Sequence, residues 1–211
     1  MSNAPILYHC PQTRSGTALW MNEELGAPCE ISLVNIKEGA QKNPEFLAMN
    51  PMGKLPTMTH GDTTVTECAA ICAYLADLYA DKGLAPAIDD PKRAAYYRWM
   101  FFAPSCIEPA MLDKFSGAER ENPGSAGHGR ISDVLASVDQ ALENGPYLLG
   151  DEFSAADVVF GGTLNFAVMF GAFEKKPLYT EYIDRLMSRP AVQRGNEKNL
   201  LWMQELGWEV A

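Results

Sequence analysis

The sequence predicts two domains of different class: an α/β domain over 1–80 and an all-α domain over 91–211, joined by a linker at 81–90. Strand-like alternation occurs before residue 70 and vanishes afterwards. The stretch 81–91, Asp-Lys-Gly-Leu-Ala-Pro-Ala-Ile-Asp-Asp-Pro, concentrates proline, glycine and acids as a linker does. Beyond it, apolar residues recur at helical spacing. A chain of 211 residues can bury a core in each part.

In order, Ile6, Leu7, Tyr8 and His9 make a short strand after Pro5, and the polar stretch 11–16 makes a turn. Ala18, Leu19, Trp20 and Leu25 mark a helix over 15–25, stopped by Gly26. Residues 29–36 alternate and form the second strand; 38–49 is a polar loop with one helical turn near 44–47. A third strand spans 55–58, with Pro56 near its start where a missing N–H is tolerated. His60-Gly61-Asp62 turns the chain into a fourth strand around Val65. Thr66 caps a helix built from Ala69, Ala70, Cys72, Ala73, Leu75 and Ala76. Strands joined through a helix pair parallel, and the last two pair as an antiparallel hairpin.

The second half starts with a helical stretch over 92–115, in which Pro104 and Pro109 predict a kink. Residues 116–129 are open, with four glycines and a proline. Ile131, Val134, Leu135, Val138 and Leu142 mark the next helix. Ser154-Ala-Ala-Asp157 has the form of a capping box and opens a core helix over 155–172; Asp157 is therefore assigned to folding. Helices over 177–188 and 191–206 complete the chain.

Seventeen basic against 27 acidic residues give a net charge of -10, which argues against nucleic acid or an anionic membrane as partner. The nearly apolar run 158–173 is too short to span a bilayer, and no signal peptide is expected from the first residues. Five cysteines at Cys10, Cys29, Cys68, Cys72 and Cys106 match no disulfide framework, so reduced thiols and a cytoplasmic setting are expected. Cys68 and Cys72, one helical turn apart, read as small buried residues rather than metal ligands, and the three histidines show no metal spacing; no metal is expected.

The stretch 53–79 carries the chemistry. The helix that begins after Thr66 offers free N–H groups and a positive dipole end to an anion. Glu67 beside it offers a negative charge to an amine. Together they suit the zwitterionic head of an α-amino acid.

Three segments have the order and spacing of a known family: Asn50-Pro51-x-Gly53-Lys54-Leu55-Pro56, then Thr66-Glu67-Cys68-Ala69-Ala70-Ile71-x-x-Tyr74-Leu75, then Leu148-Leu149-Gly150-Asp151-Glu152-Phe153-Ser154-x-Ala156-Asp157. With the β-α-β-α-β-β-α order and the helical second half, nearly the whole chain resembles the cytosolic glutathione transferases. The implied fold is a thioredoxin-like domain followed by an all-helical one. Leu7-Tyr8-His9-x-Pro11-x-Thr13-Arg14-Ser15 and the Leu19–Gly26 segment resemble bacterial members with a serine- or threonine-type loop.

The resemblance implies glutathione as co-substrate, a small hydrophobic electrophile as second substrate, and a homodimer. It implies that Pro56 is the cis-proline, that the Leu55 backbone pairs with the cysteinyl part of glutathione, and that Glu67 faces the γ-glutamyl amine. Cys68 stands where a serine commonly holds the γ-glutamyl carboxylate; its N–H is retained, but a thiol is the weaker donor. Lys54 is placed for the glycyl carboxylate or the peptide backbone. The thiolate is the nucleophile, so a donor aimed at the sulfur is needed. Thr13 best matches that role and Ser15 competes with it, with Tyr8, Cys10 and backbone N–H groups as remaining candidates. Tyr8, His9, Trp99, Phe102 and Cys106 either line the electrophile pocket or, as aromatics at helical spacing usually do, pack in the core. Two rival functions stay open: a non-catalytic glutathione-binding or interaction module, and thiol–disulfide exchange, for which only Cys10 is near the loop.

Overall fold

The computed structural model describes residues 4–117 and 122–209. Packing divides the chain into two compact units, one drawn from Met1–Lys82 and Ser188–Ala211, the other from Gly83–Met187.

In the first unit, β1 (Ile6–His9), α1 (Ser15–Glu24), β2 (Glu30–Leu33), α2 (Pro44–Met49), β3 (Thr57–His60), β4 (Thr63–Thr66) and α3 (Cys68–Leu78) follow the expected order. The sheet order is β2-β1-β3-β4. β1 runs parallel to β2, with α1 as the crossover, and antiparallel to β3, which forms a hairpin with β4. Leu7 and Met58 pair across β1 and β3 and are fully buried, as are Met21 of α1 and Ile71, Cys72 and Leu75 of α3.

Two local expectations shift. The strand expected from Leu55 starts at Thr57; Leu55 and Pro56 precede it, joined by a cis peptide bond. Thr66, expected as the helix cap, closes β4 in register with Thr57, a role its β-branched side chain suits. Glu67 then stands at the N-cap position with φ +68° and ψ 123°, and no side chain caps α3.

In the second unit, α4 (Lys92–Phe102) and α5 (Glu108–Ser116) are joined by a π turn over Ala103–Ile107. This is the break expected at Pro104. Proline has no N–H for the carbonyl one turn back, and the ladder slips: the Glu108 N–H donates to the Ala103 carbonyl five residues earlier. Ser105 Oγ donates to the Phe101 carbonyl at 2.6 Å. Of the open stretch expected at 116–129, residues 118–121 lie outside those described. α6 (Ile131–Leu142), α7 (Ala155–Met169) and α8 (Pro177–Met187) follow. α7 is buried on nearly every side, so it is apolar nearly all round. Its cap is Ser154, whose Oγ accepts from the Ala156 N–H while Asp157 Oδ2 accepts from the Ser154 N–H at 2.9 Å. Asp157 Oδ1 also accepts from the Leu148 N–H and the Tyr182 hydroxyl, tying the 145–150 connector and α8 to the same carboxylate.

α9 (Pro190–Glu205) packs on α1 and belongs to the first unit, which differs from the helical block expected over 91–211. The reason is electrostatic as well as apolar. The Glu23 carboxylate, 2% exposed, is met by Arg194 and Lys198, and Glu24 accepts two hydrogen bonds from the Arg189 guanidinium. A carboxylate buried to this degree requires such partners.

Candidate functional site

Three backbone segments of the first unit meet around the end of β1. The loop after β1 contributes Cys10 to Arg14. The segment 50–56 adjoins it, since Leu55 packs on the buried cluster of Cys10, Met203 and Trp208. The start of α3 reaches the same loop, with Cys68 Sγ 3.8 Å from the Arg14 carbonyl.

Asn50 organises the second of these segments. It is 4% exposed, donates from Nδ2 to the Lys54 carbonyl and to Thr57 Oγ1, both at 3.0 Å, and accepts from the Met52 N–H. Thr57 Oγ1 donates in turn to the Lys54 carbonyl. Gly53 has φ +57°, and a Cβ there would come within 2.8 Å of the Gln41 carbonyl, so the turn excludes a side chain. The result is a fixed Leu55 whose N–H and C=O meet no hydrogen-bonding partner among the described residues. Lys54 is exposed beside it.

At α3, the first-turn N–H groups have no side-chain cap. Glu67 is exposed and holds a positive φ that L residues rarely adopt, a conformation that costs about 1–3 kcal/mol and gathers at ligand-binding positions. Cys68 is half-buried, and its neighbouring thiol together with burial pushes the Cys72 thiol well up.

The hydroxyl loop is tightly knit. Thr13 Oγ1 donates to the Cys10 carbonyl at 2.8 Å and lies 2.7 Å from Ser15 Oγ. Ser15 is fully buried; its Oγ accepts from the Cys10 N–H at 3.1 Å and lies 2.8 Å from His9 Nδ1. His9 Nε2 lies 2.8 Å from Asn199 Oδ1 on α9, and the Trp202 ring covers the imidazole. Burial lowers the His9 pKa, partly offset by the Asn199 and Ser15 hydrogen bonds. Burial likewise raises Cys10, and it pushes Cys29 up to about 12.

Comparison with known proteins settles the family. Residues 9–78 match the glutathione S-transferase N-terminal domain and residues 117–193 its C-terminal domain. "Glutathione S-transferase 1" of Schizosaccharomyces pombe is 31% identical over 193 residues, covering 80% of this chain and 84% of its own. The chain belongs to the glutathione S-transferase family. Among solved structures, a glutathione transferase from Methylococcus capsulatus superposes with a TM-score of 0.76 at 28% identity, covering 93% of this chain and 99% of the other. The theta-class glutathione S-transferase of Xanthomonas axonopodis pv. citri, solved with glutathione bound, gives 0.71 at 31% identity over 92% and 97% of the two chains.

Set within a glutathione S-transferase frame, the residues singled out by sequence divide clearly. Thr13, Lys54, Leu55, Pro56, Glu67 and Cys68 all lie in the three converging segments of the first unit. Ser15 and His9 lie beneath them. His9 is fully buried with both ring nitrogens engaged, so it has no surface to offer as the wall of an open pocket. Tyr8 is half-buried, edge-on to Phe46. In the second unit Trp99 is 6% exposed and packs edge-on against Phe102 and Phe160, as a core aromatic does, while Phe102 and Cys106 keep exposed surface. Asn50, Thr57 and Asn199 escaped the sequence reading as site residues. Asn50 was detectable in principle, since a polar side chain just before a Pro-x-Gly turn often bonds its own backbone, whereas Thr57 lies beyond that turn. Nothing local marks Asn199.

Among the described residues, no group of three or more His, Cys, Asp or Glu is placed to hold a metal ion, and no helix is long and apolar enough to cross a membrane.

Proposed function

We propose that this glutathione S-transferase binds glutathione on its first unit and activates it as a thiolate for attack on a small hydrophobic electrophile. The observation that carries the reading is the uncapped start of α3 with Glu67 beside it, facing the hydroxyl loop through the Cys68–Arg14 contact. The Cys68 N–H and the helix end receive the γ-glutamyl carboxylate, Glu67 receives the amine, and the Leu55 N–H and C=O pair with the cysteinyl backbone next to Pro56. Lys54 serves the glycyl end. Thr13 directs its hydroxyl to the sulfur, because Ser15 is fully buried and already bonded on several sides. The bound glutathione of the Xanthomonas relative supports the same ligand here. Tyr8, Phe102 and Cys106 retain surface for the electrophile.

The chain is proposed to act in the cytoplasm as a homodimer. Tyr97 and Phe101, one turn apart on α4, and Leu112 and Phe115 on α5 are 40% to 60% exposed, an apolar surface suited to a second copy. Thiol–disulfide exchange is disfavoured, since Cys10 is fully buried and its pKa raised.

Retention on immobilised glutathione followed by conjugation to a chloronitrobenzene tests the reading. Retention with turnover that Thr13→Ala reduces at least tenfold is expected. Retention without turnover would make the chain a binding module, and failure to be retained would overturn the proposal.

A further inference from the structure

Four polar groups form a line from the hydroxyl loop into the core of the first unit. Thr13 Oγ1 is 2.7 Å from Ser15 Oγ, Ser15 Oγ is 2.8 Å from His9 Nδ1, and His9 Nε2 is 2.8 Å from Asn199 Oδ1. Thr13 is half-buried, whereas Ser15 and His9 are fully buried. Their protons can be assigned in turn. An amide oxygen only accepts, so His9 carries its proton on Nε2. The neutral ring then accepts at Nδ1, and the Ser15 hydroxyl supplies that proton. Ser15 Oγ receives the Cys10 N–H at 3.1 Å and has a further lone pair for Thr13. The Cys10 carbonyl, 2.8 Å from Thr13 Oγ1 and 3.0 Å from Ser15 Oγ, is an alternative acceptor for either hydroxyl. At rest the hydroxyl protons therefore point inward.

We infer that His9 takes up the thiol proton of bound glutathione through Thr13 and Ser15, with Asn199 holding the imidazole in the tautomer this requires. The inference rests on the preceding reading, in which Thr13 faces the sulfur. As the S–H bond breaks, its proton passes to Thr13 Oγ1, the Thr13 proton to Ser15 Oγ, and the Ser15 proton to His9 Nδ1. Three bonds to hydrogen break, three form, and nothing is oxidised or reduced. The products are a thiolate and an imidazolium.

The transfer also reverses the chain. Nδ1–H now donates to Ser15, Ser15 to Thr13, and Thr13 to the sulfur. The step that makes the thiolate thus turns a hydroxyl toward it, which a threonine parked on the Cys10 carbonyl does not do. Once the thioether forms, the proton returns outward to the leaving anion or to water.

Among the described residues, the groups facing the imidazole are Ser15 from α1 and Asn199 and Trp202 from α9, all uncharged. Burial keeps the ring neutral before glutathione arrives, and the thiolate supplies the opposing charge that favours the imidazolium. His9, Ser15 and Asn199 act through Thr13 and are positioning residues.

The test is a titration of the ultraviolet thiolate absorbance of bound glutathione, alongside the pH profile of kcat/KM. His9→Gln and Ser15→Ala should each move ionisation of the bound thiol about one pH unit or more upward and lower kcat/KM near neutral pH about tenfold or more, while glutathione is still retained. Asn199→Asp, nearly isosteric, should move it downward, because a carboxylate favours the imidazolium. Melting curves identify a variant that fails to fold, and Asn199→Asp then decides the matter. The relay is overturned if bound glutathione ionises at the same pH in the natural protein, in the folded His9 or Ser15 variant and in Asn199→Asp. A natural protein that does not retain glutathione overturns the underlying reading instead.

Discussion

At the residue scale, the proposed site differs at Cys68 from the serine that the family resemblance implies there. Its thiol lies 3.8 Å from the Arg14 carbonyl, so it is turned toward the protein and away from the role of carboxylate donor. Cys68→Ser restores a hydroxyl at that position. Glutathione affinity measured by calorimetry should then rise about fivefold, the worth of one added hydrogen bond of about 1 kcal/mol. His9 carries a second expectation. Its folded pKa lies below its ordinary value because burial disfavours the charged ring. Its stabilising contribution is therefore present in full above the unfolded value of about 6.5 and is lost as pH falls through the folded value. Acidification from about pH 7 to about pH 5 should lower Tm more in the natural protein than in His9→Gln.

At the scale of elements, α7 depends on one carboxylate. Asp157 is fully buried and accepts from the N–H groups of Ser154 and Leu148 and the hydroxyls of Ser154 and Tyr182. Asp157→Ala leaves these donors without a buried acceptor and should destabilise the fold by about 2–4 kcal/mol, read from denaturant midpoints. Such elements were legible in the sequence because their causes are local. The Ser154-x-x-Asp157 cap, the period of Ile131, Val134, Leu135 and Val138, and Pro104 inside a helical run each act within a turn or two of themselves. Thr66 shows the limit of local reading. Alone it suits a helix cap, but pairing with Thr57 draws it into β4 and leaves Glu67 in the strained position. The site divides the same way. Leu55, Pro56, Glu67 and Cys68 sit in short segments that can be read in place, whereas the His9–Asn199 bond joins residues 190 apart, and Asn199 looks like any polar residue on a helix face.

At the scale of the whole molecule, the exposed rings of Tyr97 and Phe101 lie 6.3 Å apart on the second unit. Light scattering should give twice the chain mass for the natural protein, and Phe101→Asp should shift it toward one chain mass; a single-chain mass without the substitution would remove the dimer. The two units also differ in how they are assembled from the chain. Gly83–Met187 is continuous, whereas the other unit joins the first 82 residues to those from Ser188 onward. Until α9 docks, Glu23 lacks Arg194 and Lys198, Glu24 lacks Arg189 and His9 lacks Asn199. During synthesis the unit translated first is therefore the one completed last. Its buried carboxylates wait on the ribosome for partners encoded 165 to 175 residues later, while the intervening helices can already have folded.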